Sequence, residues 1–210
     1  NMTIKCWGIK GRNNGQEQAL DALTDPSIDL VILQGIAGSG KTLLALAAGL
    51  EQVIEQRMYK EIIFTRAPVG VGDDLGFLPG ELTYKMLPWA GALIDNLEEL
   101  NLDETVAENK IKILAMQHMR GRSFNKKYII IDEVQNITPE QIKVLITRAG
   151  EDTKIVCLGD PSQIDNKKLK KSTDGLSYLE SKAFGCPFVR HIVLPDCERS
   201  RLAKWAGNVL

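Results

Sequence analysis

One short stretch, Gly35-Ile36-Ala37-Gly38-Ser39-Gly40-Lys41-Thr42, limits what this 210-residue chain can fold into more than any other part of it. It fits the pattern G-x-x-x-x-G-K-[ST], follows an apolar run (Asp29–Gln34) and opens a helical pattern. The glycines let successive backbone N–H groups turn inward around an anion, and the helix N-terminus behind them adds partial positive charge. The loop therefore needs a strand before it and a helix after it, which points to an α/β domain. Gly35, Gly38, Ser39, Gly40, Lys41 and Thr42 are the expected cradle for the phosphates of ATP. Lys41 is expected to reach the β- and γ-phosphates, and Thr42 to offer its hydroxyl to Mg²⁺.

The rest of the chain agrees. Glu61–Thr65, Tyr128–Asp132, Lys154–Gly159 and His191–Leu194 are further short β-branched runs, apolar on both faces as in strands covered on both sides. Helical patterns lie between them. Lys41–Gln56 repeats apolar residues at Leu43, Leu46, Ala47, Leu50, Val53 and Ile54. A second stripe, Ile142, Leu145, Ile146 and Ala149, follows a start signal made of Thr138 as N-cap, Pro139 and Gln141, and Gly150 is a natural stop. The expected fold is a P-loop NTPase of RecA-like type, with a mostly parallel sheet and helices on both faces in three α/β/α layers, occupying 1–210 as a single domain.

Composition excludes several classes. At 44% hydrophobic and 25% charged the chain is neither disordered nor collagen-like nor a coiled coil. No apolar run reaches the roughly 20 residues of a membrane helix, and the N-terminus shows no signal-peptide pattern. Twenty-six basic against 27 acidic side chains leave a net charge of −1, which excludes a grossly basic binder but not a local basic groove. Cys6, Cys157, Cys186 and Cys197 form no CxxC pair, and His118 and His191 complete no zinc spacing. Reduced, structural thiols and a cytoplasmic location are expected. The acidic stretch from Asp95 to Glu108 is expected to be a solvated face.

Tyr128-Ile129-Ile130-Ile131 ends in Asp132-Glu133. A hydrophobic strand ending in two acids, downstream of a phosphate loop, suits a Walker B arrangement. Asp132 would hold Mg²⁺ through its water shell, and Glu133 would orient and deprotonate an attacking water. The second acid favours water as nucleophile, and so hydrolysis over transfer to a small molecule.

After the next strand comes Gly159-Asp160-Pro161-Ser162-Gln163, which resembles motif III of superfamily 1 helicases, whose glutamine contacts the γ-phosphate. Several further segments together resemble the PhoH family of phosphate-starvation-associated ATPases. They are Thr65-Arg66, Gly76-Phe77-Leu78-Pro79-Gly80, Arg120-Gly121-Arg122-Ser123, Asp132 to Asn136, Thr147-Arg148-Ala149-Gly150, Gln163-Ile164-Asp165 and Glu198-Arg199-Ser200. The resemblance runs from about Gln16 to Arg201. It implies one RecA-like ATPase domain, cytosolic, with RNA-directed activity, and assigns Gln163 to the γ-phosphate. The chain departs from the family's T-R-P by reading Thr65-Arg66-Ala67-Pro68. Asn13, Gln16 and Ala19 are similar to the helicase Q motif, so Gln16 is a candidate for reading adenine through its amide. Trp7 is a candidate for stacking on the base, set against a plain packing role.

Phosphoryl transfer gains from an arginine placed against the developing γ-phosphate charge. Superfamily 1 helicases supply it from a second RecA-like domain, which is not expected in this chain. The arginine is expected from a short C-terminal element in cis or from a neighbour in trans. Arg148, at the end of the helix after the acidic pair, Arg199 and Arg201 are the candidates, with Arg148 or Arg199 in trans within a homo-oligomer, plausibly a ring, as the preferred reading. Arg120, Arg122, Lys126 and Lys127 form one basic cluster, and Lys167, Lys168, Lys170 and Lys171 another; together they are expected to line a channel for RNA or single-stranded nucleic acid. The apolar turn Leu75 to Gly80 is a lid, a subunit contact or a buried loop. Two other readings stay open, an ATP-gated interaction module with slow turnover and a P-loop phosphotransferase.

Overall fold

The computed structural model describes residues 3–67, 90–196 and 200–210. The chain opens with a hairpin of β1 (Lys5–Cys6) and β2 (Ile9–Lys10), whose turn places Trp7 and Gly8 at φ 47° and 82°, the left-handed pair that a two-residue hairpin needs. Next come α1 (Asn14–Thr24), β3 (Leu30–Gln34), α2 (Lys41–Leu50), β4 (Glu61–Arg66), α3 (Ala90–Glu99), α4 (Glu104–Lys110), β5 (Ile111–Ile113) and α5 (Met116–Met119). The chain then passes through β6 (Lys127–Asp132), α6 (Pro139–Ile146), β7 (Lys154–Gly159), α7 (Gly175–Ala183), β8 (Val189–Val193) and α8 (Arg201–Val209).

The larger sheet has the order β5-β4-β6-β7-β3-β8, and all its pairings are parallel. Because side chains alternate along a strand, each strand feeds two cores. Val31, Leu33, Phe64, Ile130 and Val156 pack with α1, α2 and α3 on one face. Ile32, Ile63, Ile129, Ile131 and Cys157 pack with α6 and α7 on the other. The three expected layers are therefore present. Among the described residues, no helix is long and apolar enough to cross a membrane.

Local signals explain most element ends. Thr138 and Gln141 form the reciprocal capping box at the start of α6. The Asn13 side chain caps α1, and Asp103 caps α4. The six acids of the Asp95–Glu108 stretch are all exposed, as expected of a solvated face. Two features differ from the sequence expectation. Helix α2 stops at Leu50 and continues as a π-helical turn, Glu51–Glu55, where the buried Gln52 amide donates to the carbonyls of Leu23 and Ala48. Strand β5 was not expected; its three residues are too few to show an alternation. Cys6 and Cys157 are free and buried, and burial pushes their thiols up to about 11 and about 12.

Candidate active site

The parallel sheet gathers the functional side chains at the carboxyl ends of its strands. Strand β3 runs into the phosphate loop, whose Gly38 and Gly40 sit at φ 81° and 93°, where a side chain would be strained. The start of the loop is clamped by Gly35 N–H donating to the Gly159 carbonyl at the end of β7, 3.0 Å away. Lys41 Nζ donates to the carbonyls of Gly35 and Ile36, the latter at 2.9 Å, so it lies at the mouth of the loop. Burial lowers the Lys41 pKa, while Asp132, Asp160 and Glu133 pull it back up. All three carboxylates therefore act on the charge of the same ammonium.

Strand β7 lies between β3 and β6, so the acidic pair stands two strands from the phosphate loop, roughly 10 Å at ~4.8 Å per strand. That gap suits a polyphosphate with a hydrated cation. Asp132, at the end of β6, is pushed up to about 6, first by enclosure among protein atoms and then by Glu133, against the opposing pull of Arg66 and Lys41. Its Oδ1 accepts from the Glu133 N–H at 2.8 Å. Glu133 adopts φ 57°, ψ 40°, uncommon for a residue with a side chain and frequent at functional sites. Its Oε2 accepts from Gln135 Nε2 at 2.6 Å, and its Oε1 lies 3.7 Å from Arg66 Nη2.

A turn from Val134 to Asn136 ties this pair to the loop after β7. Gln135 donates to the Gln163 carbonyl and accepts from the Asp160 N–H, both at 3.2 Å. Asn136 Oδ1 accepts from the N–H groups of Asp165 and Asn166 at 2.8 and 3.1 Å. Gln163 itself is exposed beside the acidic pair. Lys41, Asp132, Glu133 and Gln163 are therefore brought to one edge. For Mg²⁺, the half-buried Thr42 and Asp132 offer hard oxygen donors, and Asp160 Oδ2 and Ser39 Oγ are buried at the same edge with no hydrogen-bond partner among the described residues. Oxygen donors of this kind fit Mg²⁺.

Gln16 lies against the phosphate loop. Its amide is buried, with Nε2 donating to the Ser39 carbonyl at 3.1 Å and Oε1 accepting from the Arg12 N–H at 2.9 Å. Both ends of the amide are engaged inside the protein, which ties α1 to the loop. Trp7 also packs, its indole N–H donating to the Leu100 carbonyl.

The two basic clusters do not form one channel within a chain. Lys126 and Lys127 lie at the amino ends of the strands, where Lys127 pairs with Glu61 at 2.6 Å and the Lys126 N–H donates to Glu151. Lys167, Lys168, Lys170 and Lys171 are exposed on the loop after β7, at the phosphate edge. Arg148 shares the far edge, its carbonyl accepting from the Phe124 N–H. The six residues of β6 separate the two edges by about 20 Å, so Arg148 cannot reach the phosphates of its own chain. Arg199, Pro68 and the turn from Leu75 to Gly80 lie outside the described residues.

Arg66, Gln135, Asn136 and Asp160 are site residues that the sequence did not single out. They stood inside quoted motifs, but their contacts join positions as far apart as Arg66 and Glu133, a pairing that no local spacing carries.

The model of the PhoH-like protein family matches residues 8–210. The chain belongs to the PhoH family. It is 44% identical over 212 residues to Protein PhoH2 of Bacillus subtilis, covering 97% of this chain and 48% of that relative. It is 38% identical to Protein PhoH2 of Mycolicibacterium smegmatis, covering 98% of this chain and 48% of that relative. This PhoH-family chain spans about half the length of these curated relatives. Its fold resembles the SWI2/SNF2 ATPase core of Sulfolobus solfataricus, solved with dsDNA, at a TM-score of 0.53 and 15% identity over 93% of this chain and 47% of that one. Family and architecture together make this a P-loop nucleotide-binding domain.

Proposed function

We propose that the chain hydrolyses ATP with Mg²⁺ and couples hydrolysis to RNA or single-stranded nucleic acid. The observation that carries this reading is Glu133. It is a carboxylate in left-handed backbone beside Asp132, oriented by Gln135 and facing the edge where Lys41 sits. A base held beside the metal acid suits water as the nucleophile, which favours hydrolysis over transfer to a small molecule. Thr42 and Asp132 would hold Mg²⁺, which would supply neutralisation of the phosphate charge. Lys41 would exchange the carbonyls of Gly35 and Ile36 for phosphate oxygens. Glu133 would take the proton of the attacking water, and Gln163 would orient the γ-phosphate.

The nucleic-acid half of the reading rests on the exposed lysines 167, 168, 170 and 171. Asn136 links their loop to the turn that orients Glu133. A phosphate backbone on those lysines would press on the position of the base. The test is ATP turnover with and without single-stranded RNA, for wild type and Glu133→Gln. Stimulation by RNA and its loss in the variant are expected. Slow turnover indifferent to RNA would favour the ATP-gated module, and phosphate appearing on a metabolite would establish a phosphotransferase.

A further inference from the structure

Two features are unassigned. The first is a cavity of about 770 Å³ at the amino ends of the strands, far from the phosphate loop. Its walls are mainly apolar, with Leu30, Ile146, Ala149, Leu179, Ala183 and Phe188 among them. Its volume lies in the ~300–1,000 Å³ range of sites that enclose a ligand. Phe184 next to it is 97% exposed, and Phe188 is 49% exposed. Asp29, Glu151 and Asp152 stand on its lip against Lys126 and Lys182. Burial, then Asp29 and Asp152, push the Tyr59 phenol in this cavity up to about 12.

The second feature is α8. Leu202, Trp205, Ala206 and Val209 recur at i, i+3, i+4 and i+7, the spacing of a helix that packs against something. Yet α8 has no buried residue, and Leu202, Trp205 and Val209 are 72%, 51% and 63% exposed. Its charged residues are Arg201 and Lys204, with no acid, which complements the acidic lip. The chain leaves β8 at the phosphate edge, where the Leu194 N–H donates to Gln34, and α8 follows shortly after.

We infer that the cavity is the socket for α8 of a second copy of this chain, with Trp205 as the anchoring side chain and Arg201 and Lys204 against Asp29, Glu151 and Asp152. Helix and socket are different surfaces, so the contact passed head-to-tail from copy to copy builds a ring or a filament. It also joins the far edge of one copy to the phosphate side of the next. Arg148 lies beside Ala149 on the socket wall, and its Nε is buried with no hydrogen-bond partner among the described residues. This docking carries that arginine toward the neighbour's nucleotide, so the inference deepens the ATPase reading and rests on it for that consequence alone.

The test uses the whole chain with Cys186→Ser and Cys197→Ser, leaving the buried Cys6 and Cys157. Val209→Cys and Ala149→Cys are made separately and mixed under mild oxidation. A cross-linked dimer formed in the mixture and in neither protein alone is expected. Light scattering with ATP·Mg²⁺ should show an assembly in the wild type and at least tenfold weaker association for Trp205→Asp and for Ala183→Asp. Binding of a fluorescent ATP analogue by Trp205→Asp should stay at the wild-type level, which also reports that it is folded. A monomeric wild type that binds ATP, an unchanged assembly in Trp205→Asp, or a cross-link only within one chain in the double-cysteine protein overturns the inference. An assembly that binds no ATP would instead overturn the ATPase reading and leave the socket standing.

Discussion

Lys41 and Glu133 separate binding from chemistry. Lys41→Ala removes the ammonium that three carboxylates act on, so tight ATP binding is expected to be lost, as measured by equilibrium titration. Glu133→Gln keeps the shape and the contact with Gln135 but removes the base. ATP affinity should stay within about threefold while turnover falls at least 100-fold, the scale of a general base. Retained hydrolysis would refute that assignment. Lys154 offers a test of stability against pH. Its ammonium is buried and donates to the carbonyls of Ala22 and Asp25, both at 2.8 Å, at the end of α1. Burial lowers its pKa from 10.5 to about 8. Between those values the unfolded chain holds the extra proton, so this group adds stability as pH rises through the window and withdraws it as pH falls back through about 8. Cys157 and Tyr59, both raised by burial, act in the opposite sense. The difference between wild type and Lys154→Met in urea unfolding isolates the lysine: the wild type should gain on the variant from pH 8 to pH 10.

At the scale of elements, the site depends on close packing between α7 and the turn after β6. Gly175 opens α7, and a Cβ there would lie 2.7 Å from the Ile137 carbonyl and 3.0 Å from that of Val134. Both are backbone atoms with little room to yield. Gly175→Ala is expected to cost about 1–3 kcal/mol, the usual price of overpacking. It should also slow ATP turnover, because the displaced turn carries Gln135 and Asn136. Thermal unfolding and steady-state turnover check the two effects, and turnover unchanged despite a lower melting temperature would show that the turn does not orient Glu133. Asn136→Ala should leave ATP binding intact and weaken any stimulation by RNA, since it cuts the link to the lysine loop.

Across the whole molecule, Arg148 has meaning only in an assembly. If it serves a neighbour's nucleotide, Glu133→Gln and Arg148→Ala should each be nearly inactive, yet mixing them should restore turnover at the sites that pair an intact Glu133 with an intact neighbouring arginine. Turnover in the mixture equal to the sum of the parts would exclude a role in trans. Much of the molecule was legible beforehand, because the features involved are local. Phosphate loop, acidic strand end and capping box each lie within a few residues, and period-two apolar runs announce buried strands. What the sequence could not place depended on distant partners. The Gln16 amide meets the Ser39 carbonyl, and the sheet puts Lys126 and Lys127 at the opposite end from Lys167 to Lys171. The sequence alone settled the α/β P-loop class and the family, and it nominated Lys41, Asp132 and Glu133 for the site, since backbone turns and strand ends are fixed by neighbouring residues. Tertiary structure alone decided the relay through Gln135 and Asn136, the far-edge placement of Arg148, and the pairing of an uncovered helix with an unfilled socket. Those depend on strand order and on packing between segments far apart in the chain, which no spacing along it records.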